Sequence, residues 1–197
     1  MRLTIAFALG IAASLLPAQA APLSQQSTRM IAEPAVVPES LELMVKRADA
    51  IIRGTVTSAG TDTVPLSAGG AQVVRRSAVL VLDVIKGEAI TVGETVSVLQ
   101  EGGSALFDGR EVSTPYADRF NRLLAVGEEV IVTLVAWPKA SGYAVVFGSS
   151  GIYDIRESLV HGNGEPRSKA HALSRGNRRT AAEFVAQLKT FSKGKSK

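Results

Sequence analysis

The chain contains no cysteine among its 197 residues. This absence excludes disulfide bonds, thiolate metal ligands, a thiol nucleophile and a lipidated N-terminal cysteine. A folded domain must therefore be held together by apolar burial and backbone hydrogen bonds. Hydrophobic residues make up 46% of the chain and charged residues 20%, which suits a protein with one packed core.

Histidine and aromatic residues are also scarce. His161 and His171 are the two histidines, and both lie in a polar stretch without the HExxH spacing of a zinc site. The aromatic fraction is 5%, and binding of single-stranded nucleic acid needs aromatic stacking surfaces in a positive groove. Trp137, Tyr143 and Phe147 lie near one another, and packing is their expected role. The sequence therefore predicts no metal site, no cofactor and no nucleic-acid partner.

Catalytic motifs are missing as well. Residues 148–151 read Gly-Ser-Ser-Gly, which lacks the G-x-S-x-G spacing of a nucleophile elbow and predicts a hairpin turn instead. Asp49, Asp83 and Asp154 are too far apart in sequence for their proximity to be judged. We therefore identify no catalytic residue from the sequence.

One long apolar run is present, at the N-terminus. Arg2 precedes the uncharged residues 5–16, and Pro17-Ala18-Gln19-Ala20 follows with an A-x-A cleavage pattern. A membrane-spanning helix needs about 20 apolar residues, and this run is shorter. Residues 1–20 are therefore predicted to be a signal peptide, cut after Ala20, of a periplasmic or extracellular protein.

The net charge of +4 is unevenly distributed. From residue 161 onward, nine Lys or Arg residues stand against two Glu, whereas residues 21–160 carry twelve basic and sixteen acidic residues. The chain is thus a slightly acidic domain with a basic tail. Such a tail favours weak contact with an anionic surface, and the alternative is a solvated tail without a partner.

The pattern of apolar residues predicts a mainly β domain over residues 40–157, after an extended leader at 21–39. Ser40 is a suitable N-cap for a short helix at 41–48. Glycines inside strands, such as Gly54, favour a curved sheet, so we expect a small antiparallel OB-like barrel. Its six predicted strands are residues 51–57, 73–85, 95–100, 130–137, 143–147 and 152–155.

The basic tail, residues 158–197, contains one predicted helix at 181–192. Thr180 and Glu183 have the spacing of a capping box, in which each satisfies a backbone amide at the helix start. An apolar stripe follows, formed by Phe184, Val185, Leu188 and Phe191. Core packing is the expected role of this stripe, and contact with a membrane surface or a partner is the alternative.

Two predicted connections are long, residues 61–71 at a mobile hairpin tip and residues 101–123. A long loop on a rigid barrel is a common place for binding residues. Gly102 and Gly103 would allow close backbone approach, and a loop that only covers the open end of the barrel is the alternative. The polar and aromatic residues that we predict to contact a partner are Arg110, Tyr116 and Arg119.

Four short segments resemble bacterial exported proteins of unknown function. They are Ala48-Asp49-Ala50-Ile51-Ile52-Arg53-Gly54-Thr55-Val56, Val84-Ile85-Lys86-Gly87-Glu88, Gly102-Gly103 and Gly127-Glu128-Glu129-Val130. The pattern is also similar to the netrin-like module of tissue metalloproteinase inhibitors, and this resemblance implies an OB-type barrel. Those inhibitors use an N-terminal cysteine to reach the target's zinc, so that role does not carry over to a chain without cysteine.

The favoured functional hypothesis is an exported, non-enzymatic binding or accessory module of the cell envelope or secretome. Its expected partner is a protein or a cell-wall polymer. Two alternatives stay open: a hydrolase-type enzyme with carboxylate and serine groups in a barrel cleft, and a protease inhibitor acting by strand or loop insertion. The sequence leaves the oligomeric state open.

Overall fold

The computed structural model describes residues 39–65, 70–107, 109–114, 122–163 and 179–194. The chain divides into two units, residues 1–30 and 31–197, and every described residue belongs to the second. The predicted signal peptide, the leader up to residue 38 and much of the basic tail lie outside the described residues. Within those ranges, no helix is both long enough and apolar enough to span a lipid bilayer.

Two α-helices form close to their predicted positions. Helix α1 (Leu41–Arg47) begins after Ser40, whose hydroxyl accepts a hydrogen bond from the Leu43 amide. Helix α2 (Ala181–Lys193) begins with the predicted capping box between Thr180 and Glu183. In both helices, side chains replace the hydrogen bonds that the first amides lack.

The predicted mainly β class is confirmed, and all six predicted strands are present. The described part of the chain holds nine strands in all. They are β1 (Ala50–Pro65), β2 (Ala71–Lys86), β3 (Thr95–Glu101), β4 (Gly103–Phe107), β5 (Arg110–Thr114), β6 (Glu129–Trp137), β7 (Gly142–Val145), β8 (Ile152–Arg156) and β9 (Leu159–Gly162).

Five of these strands form a closed ring. The order of pairing is β1-β2-β3-β7-β6, and β6 returns to β1 from Ala50 opposite Leu134 to Thr55 opposite Glu129. The pairing of β3 with β7 is parallel and the others in the ring are antiparallel. Strand β8 pairs with β6, and β9 extends the sheet from β8. Because the ring closes through β1 and β6, residues distant in sequence become neighbours.

Apolar side chains pack on both sides of the sheet. The ring encloses one cluster, which includes Ile52, Val79, Val98 and Val132. The helices α1 and α2 cover the outer face with a second cluster, in which the rings of Tyr153 and Phe184 lie 4.7 Å apart. A third, small cluster lies at the far half of the β1–β2 hairpin and is formed by Val64, Val74, Leu99 and Ala140, with Trp137 packed against it.

The prediction of a loop at residues 101–123 is wrong, because most of the described part of this range is a β-hairpin. Strands β4 and β5 pair from Gly103 opposite Thr114 to Phe107 opposite Arg110 and form a separate two-stranded sheet. Gly109, in the turn between them, has a φ of +72°. An Asp-Gly dipeptide at 108–109 of the sequence is a strong hairpin signal, since glycine adopts positive φ without strain.

Three further expectations about the strands are wrong. The β1–β2 hairpin is longer than predicted, since β1 runs to Pro65 and β2 begins at Ala71, where a loop of residues 61–71 was expected. Strand β9 lies in the region assigned to the polar tail. The Gly148–Gly151 segment is a 3-10 turn, and the strands on either side of it, β7 and β8, pair with β6 and not with each other.

Candidate binding groove

A groove of about 490 Å³ lies along the β1–β2–β3 face. It is walled by three strands, and its described lining is small or polar, with one charged pair, Asp62 and Arg76. The lining residues are Ser58, Ala59, Gly60, Thr61, Asp62, Arg76, Ala78, Thr95, Val96 and Ser97. Ligand sites commonly have volumes of about 300–1,000 Å³, so the groove is large enough to hold part of a partner molecule.

A β-bulge in β1 accompanies the groove. Val56 lies opposite Val79 and Ser58 lies opposite Ala78, so Thr57 is an extra residue on β1. The Thr57 hydroxyl donates to the Ala78 carbonyl. An inserted residue bends its strand and increases the local twist. Beyond Thr57, β1 no longer pairs with β6 but stays paired with β2, and its residues line the groove.

Arg76 joins the segments around the groove. Its Nε donates to Asp62 Oδ2 at 2.7 Å, its Nη1 donates to Ser97 Oγ at 2.7 Å, and its Nη2 donates to the Ala140 carbonyl at 3.1 Å. The guanidinium thus connects β1, β3 and the turn after β6 from its own position on β2. Because its nitrogens already have partners, Arg76 serves to hold the walls in place.

Asp62 is held in its ionised form. Its Oδ2 accepts from Arg76, and its Oδ1 accepts from the Thr63 amide at 2.7 Å. These hydrogen bonds, the one from Arg76 first, lower the pKa of the Asp62 carboxyl below its usual value of 3.8. The groove therefore carries a carboxylate matched by a guanidinium, and this pair leaves it without net charge.

Strand β1 has a free edge beside the groove. Its pairing with β6 ends at Thr55, apart from backbone bonds that Val56 makes with Gly127 and Glu128. Among the described strands, none pairs with the second edge of β1 over residues 57–62. Thr57, Ser58, Gly60 and Thr61 are exposed. This stretch, called the free edge below, presents unpaired main-chain groups to a partner.

The predicted partner-contact residues lie in and beyond the β4–β5 hairpin. Gly102 and Gly103, with φ near +119° and +116°, form the bend from β3 into β4. Arg110 is exposed at the tip of the hairpin. Tyr116 and Arg119 lie outside the described residues. The structure therefore places three of the five predicted residues on or next to one hairpin, and none of the three lines the groove.

A buried ionic cluster lies where the chain returns from this hairpin. Arg122 Nη2 donates to Asp154 Oδ1 and to Glu128 Oε2, each at 2.6 Å, and Asp154 also accepts from Arg156. The Arg122 amide donates to Ser149 Oγ. Desolvation lowers the pKa of Arg122, but the hydrogen bonds that its guanidinium donates to both carboxylates outweigh it and raise that pKa. Carboxylate and serine groups do converge here, and they hold an arginine.

Gln100 and Arg75 secure the same returning segment at one end of the ring. Gln100 donates to the Arg122 carbonyl and accepts from the Leu124 amide, and Arg75 donates to the Leu124 carbonyl. These bonds replace strand pairing for a stretch that is not a strand. Leu124 itself is fully buried among the residues enclosed by the ring.

The three aspartates considered from the sequence have different partners. Asp49 accepts from the Ala136 amide, Asp83 pairs with Lys189, and Asp154 belongs to the buried ionic cluster. In the ranges that the structure describes, no group of three or more His, Asp or Glu side chains could hold a metal ion. His161 lies on β9, opposite Asp154, and is exposed; His171 lies outside the described residues.

The aromatic residues near one another in sequence are separated in the fold. Trp137 packs against the small third cluster, and Tyr143 packs against the cluster inside the ring. Phe147 packs against the helix-side cluster, with the Arg47 guanidinium 5.5 Å from its ring centre. The packing role predicted for them is confirmed.

Sequence reasoning missed the groove because its lining carries no motif. Ser58, Thr61 and Ser97 are ordinary strand residues, and only the register of three strands brings them together. One signal was available: the small, polar stretch at 58–62 has no apolar alternation, which marks a strand segment outside the core.

No protein-family model matches the chain, and no curated protein matches it significantly.

Proposed function

We propose that this chain is an exported, non-enzymatic module that binds a partner in the groove along β1–β3. The partner is a protein or a cell-wall polymer of the envelope or secretome. The observation that carries this proposal is the groove itself: three strands form its walls, and Arg76 fixes their positions. A site whose walls are already ordered loses little conformational freedom when a partner binds.

The proposal includes an OB-like barrel as the scaffold. The closed ring of five strands, with one parallel pairing between β3 and β7, supports this assignment. In OB folds the second and third strands and the loops beside them bind oligonucleotides and oligosaccharides. The groove of this chain lies over β1, β2 and β3, so its position is compatible with that use of the scaffold.

The groove chemistry favours binding over hydrolysis. Asp62, with its pKa lowered by Arg76, is a poor proton donor near neutral pH. Ser97 accepts a hydrogen bond from Arg76, which is a cation and cannot act as a base. The hydrolase and protease-inhibitor hypotheses remain alternatives, and assays on model esters, glycosides and a protease panel test them.

Capture from an envelope extract tests the proposed function. The purified chain is immobilised as wild type, as Ser58→Trp and as Ser104→Trp. Ser58 is exposed and lines the groove, whereas Ser104 is exposed on β4, outside it. An indole at 58 fills part of the groove, so we expect Ser58→Trp to lose at least nine-tenths of the captured material and Ser104→Trp to keep it.

Far-UV circular dichroism and urea unfolding of both variants show whether the fold is intact. Equal capture by all three proteins would contradict a role for the groove. Intact mass of the secreted protein tests the export part of the proposal, since cleavage after Ala20 leaves a chain that begins at Ala21.

The β4–β5 hairpin is the second candidate contact. Leu106 on β4 is 75% exposed, the largest exposed fraction among the described large hydrophobic residues, and Arg110 lies near it at the tip. An exposed leucine on a hairpin outside the ring suits insertion into a partner. Loss of capture by Leu106→Asp, with full capture by Ser58→Trp, would assign binding to the hairpin.

A further inference from the structure

We infer that the ligand of the groove is an extended, uncharged segment of a partner protein, which pairs as an added strand with the free edge of β1. This inference rests on the proposed function and names the ligand class of the same site. Strand addition gives affinity through main-chain hydrogen bonds and specificity through alternate side chains.

The register shows which main-chain groups of β1 face outward. On the β3 side of β2, Val73 accepts from the Gly102 amide and Val81 donates to the Glu94 carbonyl. Odd residues of β2 therefore bond toward β3, and even residues such as Arg76 bond toward β1. Gly60 lies opposite Arg76, so the amide and carbonyl groups of Gly60 point toward β2. The amide and carbonyl groups of its neighbours Ala59 and Thr61 therefore point away from β2, to the free edge.

Both outward residues lie beside the groove. Ala59 and Thr61 line it, and a strand added next to β1 would continue the same sheet. Side chains alternate between the two faces of a strand, so every second side chain of the added peptide would lie on the groove side. Gly60 leaves room there, since a Cβ placed on it would meet no atom within 4 Å.

The chemistry of the groove favours a peptide over a glycan or a nucleic acid. Its described lining contains no aromatic side chain, on which a sugar or a base would stack. Its one cation, Arg76, is neutralised by Asp62, so the lining offers no net positive charge for phosphates. An uncharged extended peptide can form main-chain hydrogen bonds with the amides and carbonyls of an ordered strand edge, and it is therefore the ligand that fits this site best.

The free edge also lacks the residues that usually prevent an edge strand from pairing with another chain. Natural edge strands commonly carry lysine, proline or inward charges that prevent pairing with other chains. Over residues 57–62 the single charge is that of Asp62, which Arg76 holds. The single proline of β1 is Pro65, beyond this stretch. An edge left open beside a groove is a place for a strand to bind.

Peptide selection on the full chain tests the inference. A displayed library of random 12-residue peptides is selected on the wild-type protein, and the recovered peptide is synthesised and titrated by calorimetry. A scan with single backbone N-methyl groups then measures each amide. We expect affinity to fall at least tenfold at every second position and less than threefold at the positions between, because only alternate amides face β1.

A matched pair of protein variants tests the edge itself. Ala59→Pro removes one outward amide and leaves the pairing with β2, and proline is tolerated on edges. We expect it to weaken the peptide at least tenfold. The control is Val92→Pro, a proline in an exposed turn that does not line the groove, and we expect it to change affinity less than threefold. Circular dichroism and urea unfolding confirm that both variants fold.

Three results would overturn the inference: recovery of no binding peptide, an N-methyl scan without the alternation, or binding of a cell-wall disaccharide at the groove in place of peptides. If Ser58→Trp still reduces capture from the envelope extract in any of these cases, the proposed binding function stands and only the ligand class is wrong. If Ser58→Trp leaves capture unchanged, the proposed function itself is wrong, whichever result the peptide experiments give.

Discussion

Charged side chains in this fold act mainly in pairs. Arg76 and Asp62 hold the groove walls, and Arg122 with Asp154 and Glu128 holds the chain where it returns from the β4–β5 hairpin. The two sites differ in burial: the Asp154 side chain is 4% exposed, and that of Asp62 is 43% exposed. Their expected contributions to stability differ accordingly.

Replacing Asp154 with Asn should be strongly destabilising. Arg122, with a side chain 16% exposed, would lose its charge partner and remain largely buried. Removing one member of a buried ion pair costs about 3–5 kcal/mol. Because Arg122 would keep its hydrogen bond to Glu128, we expect a loss at the lower end of this range. Urea unfolding measures this loss.

The matched control is Glu129→Gln. Glu129 pairs with Arg53, and both side chains are about one-third exposed. Exposed pairs contribute about 0–1 kcal/mol, so this variant should unfold within about 1 kcal/mol of the wild type. Equal losses in Asp154→Asn and Glu129→Gln would contradict the structural role of the buried cluster.

Asp62 should make stability depend on acid pH. Its pKa is lower in the folded chain than in the unfolded chain, where it is near 3.8. The unfolded state therefore binds the proton first, and the stabilising contribution is complete above pH 3.8 and lost as the pH falls through the lower, folded pKa. Asp62→Asn should be less stable than the wild type at pH 6, and the difference should shrink as the pH falls below 3.8.

Melting temperatures of both proteins between pH 2 and 6 measure this effect. A difference that stayed constant over that range would show that the carboxylate charge has no part in holding the groove walls.

At the scale of elements, strands β1 and β2 leave no room for a side chain at Gly54 on β1. A Cβ at this position would lie 2.5 Å from the Leu80 carbonyl oxygen and 2.6 Å from Val79 Cγ1. The register also shifts between Arg53 and Gly54, as expected for glycine at a bulge in a curved sheet. Glycine is therefore required here by the neighbouring strand.

Gly54→Ala should destabilise the protein by about 1–3 kcal/mol, the usual cost of overpacking. Gly60→Ala on the same strand is the control, because open space surrounds its Cβ, and it should change stability by less than about 0.5 kcal/mol. Thermal unfolding of both variants measures the difference. Similar melting temperatures would mean that β1 and β2 are farther apart than described.

The elements also show how far sequence reasoning reaches. Strands with clear apolar alternation, such as β3 and β6, were predicted within one residue at each end. Strands β4 and β5 were missed because none of their described side chains is fully buried and their sequences show no alternation of apolar and polar residues. The Asp-Gly dipeptide at 108–109 of the sequence was an available hairpin signal. Strand β9 was missed because it is four residues long. Local patterns identify buried strands better than exposed ones.

At the scale of the whole molecule, the closed ring could not be derived from the sequence. The pairing of β1 with β6 depends on backbone groups, which every residue type except proline offers alike. The groove has the same origin, because register brings together side chains of three strands. By contrast, the capping box and the apolar stripe of α2 could be predicted from the sequence, since both depend on the spacing of nearby residues.

Helix α2 begins at a capping box that the sequence predicts, and its apolar stripe packs on the sheet. Phe184 is 2% exposed and packs against Tyr153. Phe184→Ala should cost about 3–5 kcal/mol through lost burial and the cavity left behind. Phe191→Ala, at a partly buried position, should cost clearly less. Urea unfolding compares them, and a smaller loss for Phe184→Ala would contradict the described packing of the helix.

Hydrogen exchange of the full chain, with and without the partner recovered by capture, tests the central claim most directly. The account predicts that the partner slows exchange of the amides at residues 58–62, above all Ala59 and Thr61, and of the neighbouring β2 and β3 segments at 76–78 and 95–97. Protection confined to residues 103–114, or no protection anywhere along β1, would contradict it.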